Sequence, residues 1–344
     1  MKNIVPFLAF LFLTFYSCKS YKPQIFSSHQ IFQQGQVGFK ECHASTIQSI
    51  GKDSLLACWF GGTHESNPDV VIWSSHYTNG RWQSPVQVAD GILEGKRYPT
   101  WNPVLYQKPM NDTLYLFYKI GPNPREWKGY VKYSLDKGHN WSKAQQLPEG
   151  ILGPIKNKPL SLGDGLLLSP SSTETKDEIW KAHIEISRDH GKTWSTSKIR
   201  PDTSIQVIQP SIVQHSDGRI QVLCRSKENK VMSAFSSDQG NTWGPWQATN
   251  LLNPNSATDA IRLKNGLFMI VYNPAIAGKD WWEGRTKLYI ATSNDGLHWH
   301  DVLTLEDGVK GDEYSYPTII QDAAGLIHVT YTWNRRGIKH IILK

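Results

Sequence analysis

The stretch Ser187-Arg188-Asp189-His190-Gly191-Lys192-Thr193-Trp194 has the form Ser-x-Asp-x-Gly-x-x-Trp, and it recurs. Ser134 to Trp141 and Ser236 to Trp243 repeat it in full. Ser293 to Trp299 is one residue short, and Ser75 to Trp82 keeps only the serine, an Asn-Gly and the tryptophan. Asp and Gly suit a tight turn, and Trp can plug it. A turn that returns about every fifty residues signals a repeat architecture.

A second repeat runs alongside. Each unit opens with a strand, passes a polar turn and returns in a second strand, as in Asn102-Pro103-Val104-Leu105 followed by Leu114 to Tyr118. The opening strands start at His43, Asn102, Lys158, Gln209, Asp259 and Tyr316, 50 to 59 residues apart. Apolar and polar residues alternate with period two, the aromatic content is 11%, and no long helical period stands out, so the chain reads as all-β. The last unit lacks a fourth strand, which Gln24 to Lys40 could supply. Radial repetition closed by both chain ends is a β-propeller. The expectation is six blades in one domain over residues 19–344, the alternative being a seventh blade built from irregular segments. The six openers should then ring the mouth of a central channel, with second-strand ends and third-strand starts on the same face. The Ser-Asp-Gly-Trp turns should lie on the outer rim as structural parts.

Lys2, the apolar run Ile4 to Tyr16 and Ser17-Cys18 have the form of a signal peptide over residues 1–18, too short to span a membrane. Ser17-Cys18 suggests lipid attachment at Cys18, hence a periplasmic or outer-membrane lipoprotein touching the membrane only through that anchor. Cys42, Cys58 and Cys224 are an odd set for disulfides; Cys42 and Cys58 could meet across one hairpin, but buried thiols fit better. No spacing suggests a metal site, and no cofactor is expected. The formal charge of +7 comes without a nucleic-acid motif; it fits an anionic glycan partner or simply a solvated basic surface. A monomer is expected.

The turn repeat, the six units and the leader resemble the sialidase superfamily, whose propellers carry these turns as Asp-boxes. Trp59-Phe60-Gly61-Gly62, Gly153 to Pro159 and Glu313-Tyr314-Ser315-Tyr316-Pro317 are similar to a sialidase-like branch in bacteria and plants. The resemblance implies a carboxylate site of three arginines, an aspartate acid/base and a tyrosine nucleophile activated by glutamate. Arg225 matches the second arginine, Arg285 resembles the third, Tyr314-Ser315 resembles the nucleophile motif, and Asp69 or Glu65 falls in the acid/base loop. Two parts are missing: His43 stands where the first arginine opens blade 1, and Gln209 stands where the activating glutamate precedes proline.

A histidine, a tyrosine and arginines in one mouth suit another reaction. The C5 proton of a uronic acid becomes removable when its carboxylate is neutralised, which arginines do well. Histidine and tyrosine then suit proton removal and donation. The leading expectation is therefore a lyase or dehydratase acting on an acidic oligosaccharide. His43 and Tyr314 or Tyr316 would be catalytic. Arg225, Arg285, Arg125, Gln209, Asn102, Lys158, Asp69, Glu65 and His64 would bind substrate. Trp101, Trp127, Trp281 and Trp282 are candidates for stacking on sugars. The alternatives are an exo-glycosidase of sialidase or rhamnosidase type and a non-catalytic glycan-binding propeller.

Overall fold

The computed structural model describes residues 21–108, 112–163, 165–200, 203–280 and 282–344. The leader and Cys18 lie outside these residues, as does Trp281.

Six sheets, each of at least four antiparallel strands, follow one another along the chain as blades. The inner strands are Glu41–Gly51, Thr100–Gln107, Leu160–Ser161, Val207–Gln214, Asp259–Arg262 and Tyr314–Gln321. The ring closes as expected. Ile25–Gln30 pairs with Gly337–Leu343 as the outermost strand of blade 6, and Gln24 and Lys344 exchange backbone hydrogen bonds of 2.9 and 3.0 Å. The core lies in wedges between neighbouring blades, such as Leu56, Ile72, Leu105 and Leu116 between blades 1 and 2. Cys42, Cys58 and Cys224 are buried free thiols.

The four sound Asp-boxes sit between third and fourth strands, on the face opposite the mouth. In the box of blade 3, Asp189 accepts from Ser187 Oγ (2.9 Å), Thr193 N (2.8 Å) and Thr193 Oγ1 (2.6 Å), while Gly191 N donates to Ser187 Oγ (2.7 Å). His190 and Gly191 are both left-handed, at φ 64° and 88°, which explains the glycine. The degenerate copy in blade 1 has no aspartate, and Ser75 Oγ donates to Gln83 O instead.

The inner strands carry a second recurring device. Ala44, Asn102, Gln209 and Tyr316 all have positive φ, at 55°, 35°, 54° and 51°, and the strand register shifts beside each. These are β-bulges, which re-aim a side chain. Three of them precede proline, where the residue is already restricted. Side chains of neighbouring blades cap backbone donors near these bends: Ala44 N donates to Thr332 Oγ1 (3.2 Å), Leu105 N to Thr46 Oγ1 (3.1 Å) and Gln209 N to Ser172 Oγ (3.2 Å). Ala44, rather than His43, is therefore the blade 1 counterpart of Asn102, Gln209 and Tyr316.

Candidate active site at the channel mouth

Tyr316 and Gln209 are brought together by their bulges from blades 6 and 4. Gln209 Nε2 donates to Tyr316 Oη at 3.4 Å. Arg225, at the end of the second strand of blade 4, donates through Nη1 to Tyr316 Oη (3.0 Å) and Gln209 Oε1 (3.3 Å). Its Nε bonds Asn255 Oδ1 at 3.1 Å, its Nη2 bonds Asn255 O, and its guanidinium stacks on Trp180 at 5.4 Å. Arg225 is 6% exposed, and every hydrogen bond it makes among the described residues goes to a neutral group.

His43 lies beside this cluster, its ring centroid 4.1 Å from that of Tyr316. It is buried, and its Nδ1 has no hydrogen-bond partner among the described residues. Burial, then the charges of Arg335, Arg285, Arg225 and Lys156, hold its pKa well below the usual histidine range. The ring is therefore neutral near pH 7 and keeps a buried polar atom unspent, which native interiors rarely do.

Behind His43 runs a chain of ion pairs. Glu313 accepts from Arg285 Nη1 (3.2 Å) and Arg335 Nε (2.8 Å), and Arg335 Nη1 reaches Glu65 at 2.6 Å. Arg285 is thus at the mouth, but with a carboxylate already at hand. Glu65 serves as a counterion to Arg335.

One strap fixes the floor. The segment between blades 2 and 3 is anchored where Leu152 N and Gly153 N donate to Glu185, each at 2.7 Å, and where Lys119 Nζ bonds Pro154 O. It then extends Lys156, Asn157 and Lys158 into the channel. Lys156 Nζ bonds Asn157 Oδ1 (2.9 Å), Thr258 O (3.1 Å) and Pro317 O; burial lowers its pKa to about 7. Asn157 Nδ2 donates to Gln209 O at 3.0 Å. Lys158 pairs with Asp259, whose carboxylate also accepts from Thr318 Oγ1 (3.0 Å) and Ile319 N (2.9 Å). The strap therefore holds the backbone at both Gln209 and Tyr316-Pro317.

Several expected site residues lie elsewhere. Tyr314 does not share a face with Tyr316, because the bulge at Tyr316 breaks the two-residue alternation. Its side chain packs with Leu305, Ile319 and Tyr331 between blades 5 and 6, and burial, with Asp312 and Glu306 nearby, raises its pKa. Arg125 sits on an exposed loop, paired with Glu178 at 3.2 Å. Lys158 is engaged by Asp259. Asp69 staples its own loop by accepting from Thr63 N (3.1 Å) and Thr63 Oγ1 (2.6 Å), and exposed His64 bonds Glu65 O at 2.8 Å. Asn102 is buried at the blade 2 bulge. Trp101 and Trp127 are packed on each other inside the wall, whereas Trp282 is exposed. Sequence reasoning put Arg335 on the mouth face without giving it a role, and it missed Glu313 and Lys156 as parts of the site. The only signal for Arg335 was its place at a third-strand start, on the mouth face.

The recurring blades and turns match a known repeat family. The profile of the BNR repeat-like domain matches residues 53–329, and the chain belongs to that family. None of the curated protein sequences compared with the chain matches it. Among solved structures, a protein of unknown function from Dyadobacter fermentans superposes with a TM-score of 0.73 at 17% identity, covering 94% of this chain and 99% of that one. The Hadza microbial sialidase Hz136 superposes with a TM-score of 0.76 at 16% identity, covering 92% and 68%. The intramolecular trans-sialidase from Ruminococcus gnavus gives 0.70 at 13% identity, covering 91% and 96%. At these identities the likeness is one of fold.

Proposed function

We propose that this chain is a carbohydrate-active enzyme that holds an acidic sugar by its carboxylate at Arg225 and eliminates across C4 and C5 of a uronate. The observation that carries this reading is the buried Arg225, whose hydrogen bonds among the described residues all go to neutral groups. A buried charge is ordinarily paired, so such a guanidinium suits an anionic ligand. Arg285 and Arg335 stand behind it and add positive field at His43.

The second support is what surrounds Tyr316. Its hydroxyl meets a guanidinium and an amide, with Gln209 in the place of a carboxylate base. A tyrosine nucleophile of the sialidase kind needs such a base, whereas a tyrosine that donates a proton needs compensation for the charge it acquires. Arg225 supplies that compensation.

In this reading the substrate carboxylate enters the cationic cluster and cancels part of the field that depresses His43, so the imidazole becomes more basic as substrate binds. His43 takes the C5 proton. The C5–H electron pair forms the C4=C5 double bond, the C4–O4 bond breaks, and Tyr316 protonates O4 as it leaves. The imidazolium then returns its proton to the Tyr316 phenolate, its ring neighbour, and both groups are restored. A sugar at O4 makes the enzyme a lyase; a free O4 makes it a dehydratase.

The shared fold with solved sialidases keeps a glycosidase as the second reading. Incubation with a panel of uronate-containing oligosaccharides, read by mass, separates the two. Elimination gives an unsaturated, ultraviolet-absorbing uronate without uptake of water, and dehydration loses one water. Hydrolysis adds one water and gives no absorbance, and that outcome would sink the elimination.

A further inference from the structure

A second cavity opens on the mouth face between blades 2 and 3, with a volume of about 460 Å³. Arg125, Trp127 and Lys128 line it from blade 2, Glu149 from the start of the strap, and Thr173 and Glu174 from the end of the second strand of blade 3. That volume lies within the range of sites that take a small organic ligand.

Glu174 belongs to both regions. It lines this cavity, and its carboxyl lies within the field of Arg225. Its carboxyl makes no hydrogen bond or ion pair among the described residues, unlike those of Glu65, Glu185 and Glu313. Burial raises its pKa, against the opposing pull of Arg225, Arg125 and Lys227. It is thus a half-buried acceptor whose hydrogen-bonding capacity is unspent, at the seam between the carboxylate pocket and an open cleft. The cationic side of the cleft is partly answered already, since Arg125 is paired with Glu178. Hydroxyl groups satisfy a carboxyl in this position, whereas a second anion would be repelled by it.

We propose that this cavity is a second sugar subsite, which takes a neutral sugar glycosidically linked to the acidic sugar at Arg225 and binds it through hydroxyls donated to Glu174. The subsite rests on the acidic-sugar reading of Arg225, though not on elimination as the reaction. Thr173 is exposed at the lip, where a larger side chain would fill the cleft without entering the core.

Calorimetric titration tests it with two kinds of probe: methyl glucuronoside, and disaccharides of glucuronate with a neutral hexose in both linkage orders. Wild type should bind one disaccharide at least about tenfold tighter than methyl glucuronoside, the scale of one or two added hydrogen bonds. Thr173→Trp should remove that advantage and leave the affinity for methyl glucuronoside unchanged. Glu174→Gln, which keeps the shape, should reduce the advantage and serves if the tryptophan variant fails to fold. Equal affinity of wild type for all the probes overturns the subsite, as does an advantage that survives both substitutions. If neither methyl glucuronoside nor any disaccharide binds, the acidic-sugar reading itself fails and takes the subsite with it.

Discussion

The outer rim and the channel mouth both depart from strand geometry through left-handed residues, but with different companions. At the rim, Lys137, His190 and Gln239, at φ 62°, 64° and 60°, are each followed by glycine and held by a serine and an aspartate of their own turn. At the mouth, Asn102, Gln209 and Tyr316 adopt positive φ immediately before proline, where strain is on the order of 1–3 kcal/mol per residue. Gln209 and Tyr316 are held there by other parts of the ring, through Asn157 on Gln209 O and Lys156 on Pro317 O. A rim turn therefore holds its left-handed residue with bonds of its own, and the pattern is copied from blade to blade. A mouth residue is over-determined from a distance, and each blade offers a different side chain to the same space. The difference separates two kinds of damage: changes at the rim should lower stability alone, and changes at the mouth should lower activity alone.

The largest effect should come from the proton-transfer pair. His43→Ala and Tyr316→Phe should each reduce kcat by about a hundredfold to ten-thousandfold, the usual range for a general acid or base. Their melting temperatures should stay close to wild type. Tyr314→Phe, two residues from Tyr316 but inside the wedge between blades 5 and 6, should keep kcat within about threefold. Because the pKa of His43 is lowered, the base stays unprotonated to well below the usual histidine range. The acid limb of kcat/KM should therefore lie below pH 6.5, and it should vanish in His43→Gln. A Tyr314 variant as inactive as the Tyr316 variant would break the contrast between the two tyrosines.

Arg225→Ala should follow, with about a hundredfold to a thousandfold loss in kcat/KM, the scale of removing one charge-stabilising donor. Since its hydrogen bonds go to neutral partners, no ion-paired carboxylate is left stranded, and circular dichroism should show the native sheet. Wild-type turnover in this variant would remove the carboxylate pocket from the mouth.

At the rim, Asp238→Ala removes an acceptor of bonds from Ser236 Oγ (2.8 Å), Thr242 N (2.9 Å) and Thr242 Oγ1 (2.6 Å). It should lower the melting temperature by about 2–4 °C and leave kcat unchanged. A kinetic defect at constant stability would mean that the rim acts on the mouth, against the separation drawn above.

The smallest effect is one of pH. Bonds from Asn140, then from Ser134, hold the Asp136 carboxyl down at about 2. A depressed carboxyl adds stability above its unfolded pKa, near 3.9, and loses it as pH falls through the folded value. Thermal melts should show wild type losing its lead over Asp136→Asn between about pH 4 and pH 2. A lead that stays constant across that window would assign the turn's stability to shape rather than charge.

The rim was legible because each box writes its serine and aspartate bonds within seven or eight consecutive residues, as Ser187 to Trp194 does. Blade count and closure followed from the same regularity. The mouth was legible only as a list of residues on one face. Tyr314 and Tyr316 were ambiguous because strand alternation puts both on one side, and only the bulge parts them. His43 was aligned one residue out because blade 1 has Ser45 where the other bulges have proline. Lys158 and Arg125 were plausible by position, but their counterions Asp259 and Glu178 come from other blades or loops. Arg335 and Lys156 earn their places by proximity to His43 and Pro317, which no local pattern encodes.

The seam of blade 6 has a consequence for how the chain is made. Ile25–Gln30 leaves the ribosome long before its partner Gly337–Leu343. While the intervening blades are made the early strand has no place to dock, and blade 6 cannot be completed before Gly337–Leu343 emerges. The unclosed ring offers an open strand edge throughout that interval, the surface most prone to pair with another chain. A circular permutant cut within the exposed loop around Asn79 and Gly80 and joined between Lys344 and Gln24 would turn that late seam into an ordinary hairpin. Refolding of such a permutant should depend less on protein concentration than refolding of the natural chain.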